Sequence, residues 1–147
     1  MYWVHNKIGE KVKVIKYDFD LIKSFLEDYG VKVEIHEEVL TAHLTADICM
    51  NFYNESNPND VRCDFGSGWH CHSDFYFFDG EYHIELSYLD FLEELVNGNI
   101  LLCSEYVDGK LEDIEPNHIE YFDKSDFKYL GNNKELRIKR LKFDKIG

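Results

Sequence analysis

Gly68-Trp69-His70-Cys71-His72-Ser73-Asp74-Phe75-Tyr76-Phe77-Phe78 runs into Asp79-Gly80 and out along Glu81-Tyr82-His83-Ile84-Glu85-Leu86-Ser87. Asp-Gly between two β-prone runs is a hairpin signal, because a two-residue type I′ turn needs φ > 0 at both central positions. With Asp79-Gly80 as that turn, Phe78 faces Glu81; on the next pairs Phe77 faces Tyr82, Phe75 faces Ile84 and Ser73 faces Leu86, and these three give one apolar side. The other side pairs Tyr76 with His83, Asp74 with Glu85 and His72 with Ser87. That register gathers His70, His72, Asp74, His83 and Glu85 on one face of two strands. Two carboxylates set opposite each other repel, so a cation or a proton is expected beside them.

Working outward, Ser87-Tyr88-Leu89-Asp90 opens a helix in a capping pattern, with Leu89, Phe91, Leu92, Leu95 and Val96 as its stripe and Asn97-Gly98 as its stop. Residues 100–107 and 110–114 predict a second hairpin around Asp108-Gly109, which would set Glu105 against Glu112. Asn117 to Phe122 is expected as a further strand, Ser125 to Tyr129 as a helical turn, and Leu136 to Phe143 as a strand with a basic side. Toward the N-terminus, Lys11 to Lys16 reads as a strand. A helix follows, capped by Asp18 or Asp20, with Leu21, Ile22, Phe25, Leu26 and Tyr29 as its stripe and Gly30 beyond its end.

Val31, Val33 and Ile35 alternate with polar residues as in a half-buried strand. Leu40, Ala42, Leu44, Ala46, Ile48, Met50 and Phe52 then fill every even position, against Thr41, His43, Thr45, Asp47, Cys49 and Asn51 at odd ones. A single strand of that length would run about 45 Å, so a break near Ala46-Asp47 is expected. Residues 54–60 read as a loop, Val61 to Phe65 as a short strand, and Gly66-Ser67-Gly68 as the turn into the first hairpin. The expected fold is a single α+β domain over residues 1–147, an antiparallel meandering β-sheet with two main α-helices packed on one face.

Composition narrows the function. The 147 residues are 44% hydrophobic and 16% aromatic, a folded chain and not a disordered one. The net charge is −13. Residues 17–127 hold five Lys or Arg against 26 acids, whereas Lys134, Arg137, Lys139, Arg140, Lys142 and Lys145 make the C-terminal stretch basic. So acidic a body repels nucleic-acid phosphate and anionic membrane and attracts basic partners. No basic stretch followed by an apolar run opens the chain, and no apolar run reaches the roughly 20 residues a bilayer needs. Cytoplasmic location is expected, with Cys49, Cys63, Cys71 and Cys103 as reduced thiols.

Two kinds of chemistry remain open. His70 and His72 are alternate strand residues and point the same way, and His83 with Asp74 or Glu85 would complete a site for Zn²⁺ or another divalent metal. An H-x-H followed by Ser87-x-x-Asp90 also echoes the metal motif of JAMM-type peptidases. Here, though, a complete hairpin separates the two halves, the upstream glutamate lacks a counterpart, and Ser87 with Asp90 read as a helix cap. There is no G-x-S-x-G, and no cysteine sits among basic residues, so an enzyme is not the expectation. The other class is partner binding, with Tyr76, Phe78 and Tyr106 as aromatic contacts and Glu105 and Glu112 as acidic ones, and no cofactor.

The segment Gly68-Trp69-His70-Cys71-His72-Ser73-Asp74, with the helix ending Leu95-Val96-Asn97-Gly98 and the strand Ile100-Leu101-Leu102, resembles a G-W-H-x-H-x-D pattern of small uncharacterised bacterial proteins. In size, acidity and layout the chain is also similar to cytoplasmic immunity proteins that neutralise bacterial toxins. That likeness implies a non-enzymatic inhibitor covering a basic toxin domain. It assigns no binding residue.

Overall fold

The computed structural model describes residues 2–5, 11–14, 16–54, 61–122 and 131–146, the first two stretches by their backbone alone. Among them are two helices and twelve strands, every paired strand antiparallel. In chain order these are β1 (Tyr2–His5), β2 (Lys11–Val14), α1 (Phe19–Glu27), β3 (Lys32–His36), β4 (Val39–His43), β5 (Cys49–Tyr53), β6 (Arg62–Asp64) and β7 (His70–Cys71). They continue as β8 (Phe75–Phe78), β9 (His83–Leu86), α2 (Tyr88–Val96), β10 (Ile100–Val107), β11 (Lys110–His118) and β12 (Lys134–Arg140). The α+β class holds. The meander is confined to the five-stranded ladder β3-β4-β5-β6-β7, while β1-β2, β8-β9 and β11-β10-β12 form separate ladders.

Both helices begin and end where their local chemistry dictates. Asp18 and Ser87 are the N-caps, their side chains accepting from the N–H groups of Leu21 and Asp90. At the other ends, Val31 N–H reaches Leu26 C=O and Asn99 N–H reaches Glu94 C=O. These are the long bonds of Schellman closures around Gly30 and Gly98. Ile22 and Leu26 are fully buried on α1, but Leu21 is 46% exposed and leaves the expected stripe.

One contiguous core runs from Tyr17 to Ile114 and takes residues from both helices and most strands. At its centre Phe75 of β8 stacks on Phe91 of α2, ring centroids 3.8 Å apart and nearly parallel, and Tyr17 packs edge-on against Phe52 and Tyr88.

Several expectations change. The even-position run does break near Ala46-Asp47, and the break is a full reversal. The Thr45 hydroxyl accepts from the N–H groups of Asp47 and Ile48, Leu44 N–H bonds Ile48 C=O, and the chain returns as β5. The even residues other than Ala46, which is exposed in the turn, stay buried because the hairpin sets Leu40 against Phe52 and Ala42 against Met50. Residues 117–118 extend β11 and do not start a new strand, and residues 119–121 turn. β1 has no counterpart in the sequence reading. The expected helical turn at Ser125 to Tyr129, and residues 55–60 of the expected loop, lie outside the described residues.

Candidate functional site

The first hairpin keeps its faces and changes its register. Asp79 Oδ1 accepts from the N–H groups of both Glu81 (2.9 Å) and Tyr82 (2.7 Å), and Asp79 N–H bonds Tyr82 C=O. The aspartate side chain thereby builds a four-residue loop in place of the two-residue turn, as Asp does when it competes for nearby backbone donors. Every pair slides by two residues. Phe78 faces His83, Phe77 faces Ile84, Tyr76 faces Glu85 and Phe75 faces Leu86. A slip of two preserves which side is buried. Asp74 is therefore not opposite Glu85, His72 is not opposite Ser87, and Tyr82 does not pair with Phe77.

The expected five-residue cluster is divided among two ladders and the bend between them, which holds His72 and Asp74. His70 belongs to β7, where it faces Asp64 of β6, and the chain bends over residues 72–74 with Ser73 at φ 126°. His70 and His72 meet each other edge to face, 5.0 Å between ring centroids, and their Nδ1 atoms lie 3.1 Å from the carbonyls of Gly68 and Val61. His83 and Glu85 sit on β9, where His83 packs on Tyr76 at 5.3 Å. Among the described residues, no group of three or more His, Cys, Asp or Glu side chains converges as a metal site.

What the outer face of β8–β9 does present is aromatic surface. Tyr76 and Phe78 on that face are 59% and 52% exposed and lie along one another at 6.4 Å, and Tyr82, in the loop before β9, is 64% exposed. His83, Glu81 and Glu85 are exposed around them. Tyr82 was missed because the two-residue turn put it on the apolar side.

Of the other expected contact residues, Glu105 and Tyr106 are engaged within the chain. The bulge between Glu105 and Tyr106 sets Glu105 against Asp113, not Glu112, and leaves Glu112 exposed as the extra residue. Lys134 of β12 pairs with Glu105 at 3.4 Å, and the Arg137 guanidinium lies 4.0 Å over the Tyr106 ring. The basic strand thus covers Tyr106 and Glu105 and leaves Tyr76 and Phe78 open. Arg137 and Tyr106 also line a cavity of about 270 Å³ with Asp47, Ser104 and Lys139.

The polar face of the five-stranded ladder holds a connected side-chain network. Asp64, buried, accepts from Asn51 Nδ2 (3.0 Å), Arg62 (3.0 Å) and Gly66 N–H (3.1 Å), and Asn51 in turn accepts from the Thr41 hydroxyl (2.9 Å). On the same face Cys49 is opposite His43, with Sγ 3.4 Å from Nδ1. His43 Nε2 lies 3.1 Å from the Glu34 carboxylate, whose other oxygen is 3.4 Å from Lys32 Nζ. The hydrogen bond from His43, and then Lys32, hold the Glu34 carboxyl below its ordinary range. In the sequence His43 and Cys49 were legible only as odd members of one alternation, and Glu34 as a polar member of the alternation before it. The Thr45-Ala46-Asp47 reversal that faces residue 43 with residue 49 was the missing signal.

No known protein family, curated protein or solved structure matches the chain. No helix among the described residues is long and apolar enough to cross a membrane.

Proposed function

We propose that the chain is an acidic, cytoplasmic protein-binding module that meets a basic partner through the outer face of β8–β9, as an immunity protein covers a basic bacterial toxin domain. One observation carries the reading. Tyr76, Phe78 and Tyr82 stand more than half exposed on a single hairpin, inside a stretch with no Lys or Arg between Arg62 and Lys110. Ten acids fall in that same stretch: Asp64, Asp74, Asp79, Glu81, Glu85, Asp90, Glu93, Glu94, Glu105 and Asp108. Large aromatic rings supply contact area at little entropic cost, and surrounding carboxylates steer a cationic partner onto them. The role needs no cofactor, and the acidity disfavours nucleic acid and anionic membrane as partners.

Passing a lysate of the source cells over the immobilised protein tests this at low and at raised salt. Proteins rich in Lys and Arg are expected to bind at low salt and to be released as salt screens the contact. A Tyr76→Ser/Phe78→Ser double variant is expected to lose them. Retention that is indifferent to salt and to both substitutions would refute the proposal.

A further inference from the structure

Cys49, His43 and Glu34 lie side by side on three neighbouring strands, and the order of their contacts fixes the chemistry. Glu34 is a carboxylate held in its charged form, so it can only accept; the proton between it and His43 must reside on Nε2. In the neutral imidazole that leaves the lone pair on Nδ1, the atom 3.4 Å from the Cys49 sulfur. The ring is therefore oriented by one neighbour to take a proton from the other, the arrangement by which a thiol is activated by an adjacent base. Lys32 holds the far oxygen of Glu34. Cys49 itself is partly exposed and lies beyond Asn51–Tyr53, the part of β5 that pairs with β6.

We propose that Cys49 is a nucleophilic thiol, with His43 as its base and Glu34 as a positioning residue, and that its substrates are disulfides. As Cys49 Sγ attacks one sulfur of R–S–S–R, its proton passes to His43 Nδ1. The S–S bond breaks, and the departing R–S⁻ takes that proton from His43 Nδ1. The products are a Cys49–S–S–R mixed disulfide and R–SH, with one disulfide consumed and one formed and no net oxidation. Disulfide is the favoured class because exchange at sulfur needs a thiolate and an open line of approach. Acyl transfer would in addition need donors aimed at an oxyanion. The other three thiols are less suited. Cys63 and Cys103 are buried, and burial pushes both thiols up; Cys71 packs against the core opposite Cys63.

The test uses the full reduced chain and an aromatic disulfide, dithiobis(nitrobenzoate), at neutral pH, with the labelled cysteine located by peptide mass spectrometry. One thiol is expected to react in a fast phase, to map to Cys49 and to vanish in Cys49→Ala. His43→Ala is expected to slow it at least about tenfold, a threshold set below the roughly hundredfold or more that a positioned base contributes. Glu34→Ala should slow it several-fold, and Glu34→Gln, whose amide oxygen still accepts from Nε2–H, should restore most of the rate. Thermal melts show whether each variant remains folded. A fast phase that survives Cys49→Ala, maps to Cys71, or keeps its rate in a folded His43→Ala protein would overturn the proposal.

Discussion

Asn54 grips the backbone of Tyr17 at both of its polar groups. Its Oδ1 accepts from Tyr17 N–H at 2.8 Å and its Nδ2 donates to Tyr17 C=O at 2.9 Å, across 37 residues of chain. Both residues are buried, so the pair joins the segment before α1 to the end of β5 where water cannot substitute.

Asn54→Ala removes both bonds and strands a buried donor and acceptor. The expected loss is about 2–3 kcal/mol of folding stability, from the cost of leaving such groups unsatisfied. Chemical denaturation measures it, and a loss below the error of the fit would contradict the account.

The Tyr17 hydroxyl has the opposite status. It is buried, and among the described residues it has no hydrogen-bond partner, and burial holds the phenol protonated. Tyr17→Phe deletes an unsatisfied group and keeps the ring that packs on Phe52 and Tyr88. The variant is expected to be as stable as the parent or more so, by up to about 1–2 kcal/mol. A clear drop in melting temperature would show that the hydroxyl has a partner.

Gly98 closes α2 at φ +82°, and a Cβ there would meet the Arg140 side chain and the Lys142 Cβ at 3.4 Å. Gly98→Ala is expected to cost about 1–2 kcal/mol through the left-handed backbone alone. Gly109, also at positive φ but with nothing within 4 Å, is the control that separates backbone strain from crowding. The two substitutions should differ by the crowding alone.

Burial, and secondarily Glu115, push the Cys103 thiol from about 9 up to about 11, against a donor hydrogen bond from Asn117 that lowers it. The unfolded thiol ionises first as pH rises, so this contribution is complete below about pH 9 and is lost as pH climbs toward 11. The slope is at most about 1.4 kcal/mol per pH unit for one group. Denaturation curves across that range should fall less steeply in Cys103→Ala. An identical alkaline slope would contradict the assignment.

The helices were legible because their ends are local: Asp18 and Gly30, Ser87 and Gly98 act within a turn of where they stand. The faces of the strands were legible for the same reason, since alternation survives any shift of two. The hairpin register was not legible, because Asp79-Gly80 suits a two-residue turn as well as an aspartate-capped four-residue loop. The reversal after β4 was hidden by the same parity. Leu40 to Phe52 alternates identically whether straight or folded back, so the approach of Cys49 to His43 left no trace in the pattern. The separation of His70 and His72 from His83 and Glu85 arose at residues 72–74, where nothing in the composition announced a bend. The intrachain capture of Tyr106 and Glu105 by β12 was likewise a long-range pairing.

The β8–β9 surface is tested most directly by placing a photoreactive benzoylphenylalanine at Tyr76 and irradiating living source cells. Leu21, an exposed apolar residue on α1, serves as the control position. A crosslink to a protein with an excess of Lys and Arg, formed from position 76 and not from position 21, is the predicted result. The same products from both positions, or an acidic protein captured at position 76, would contradict it.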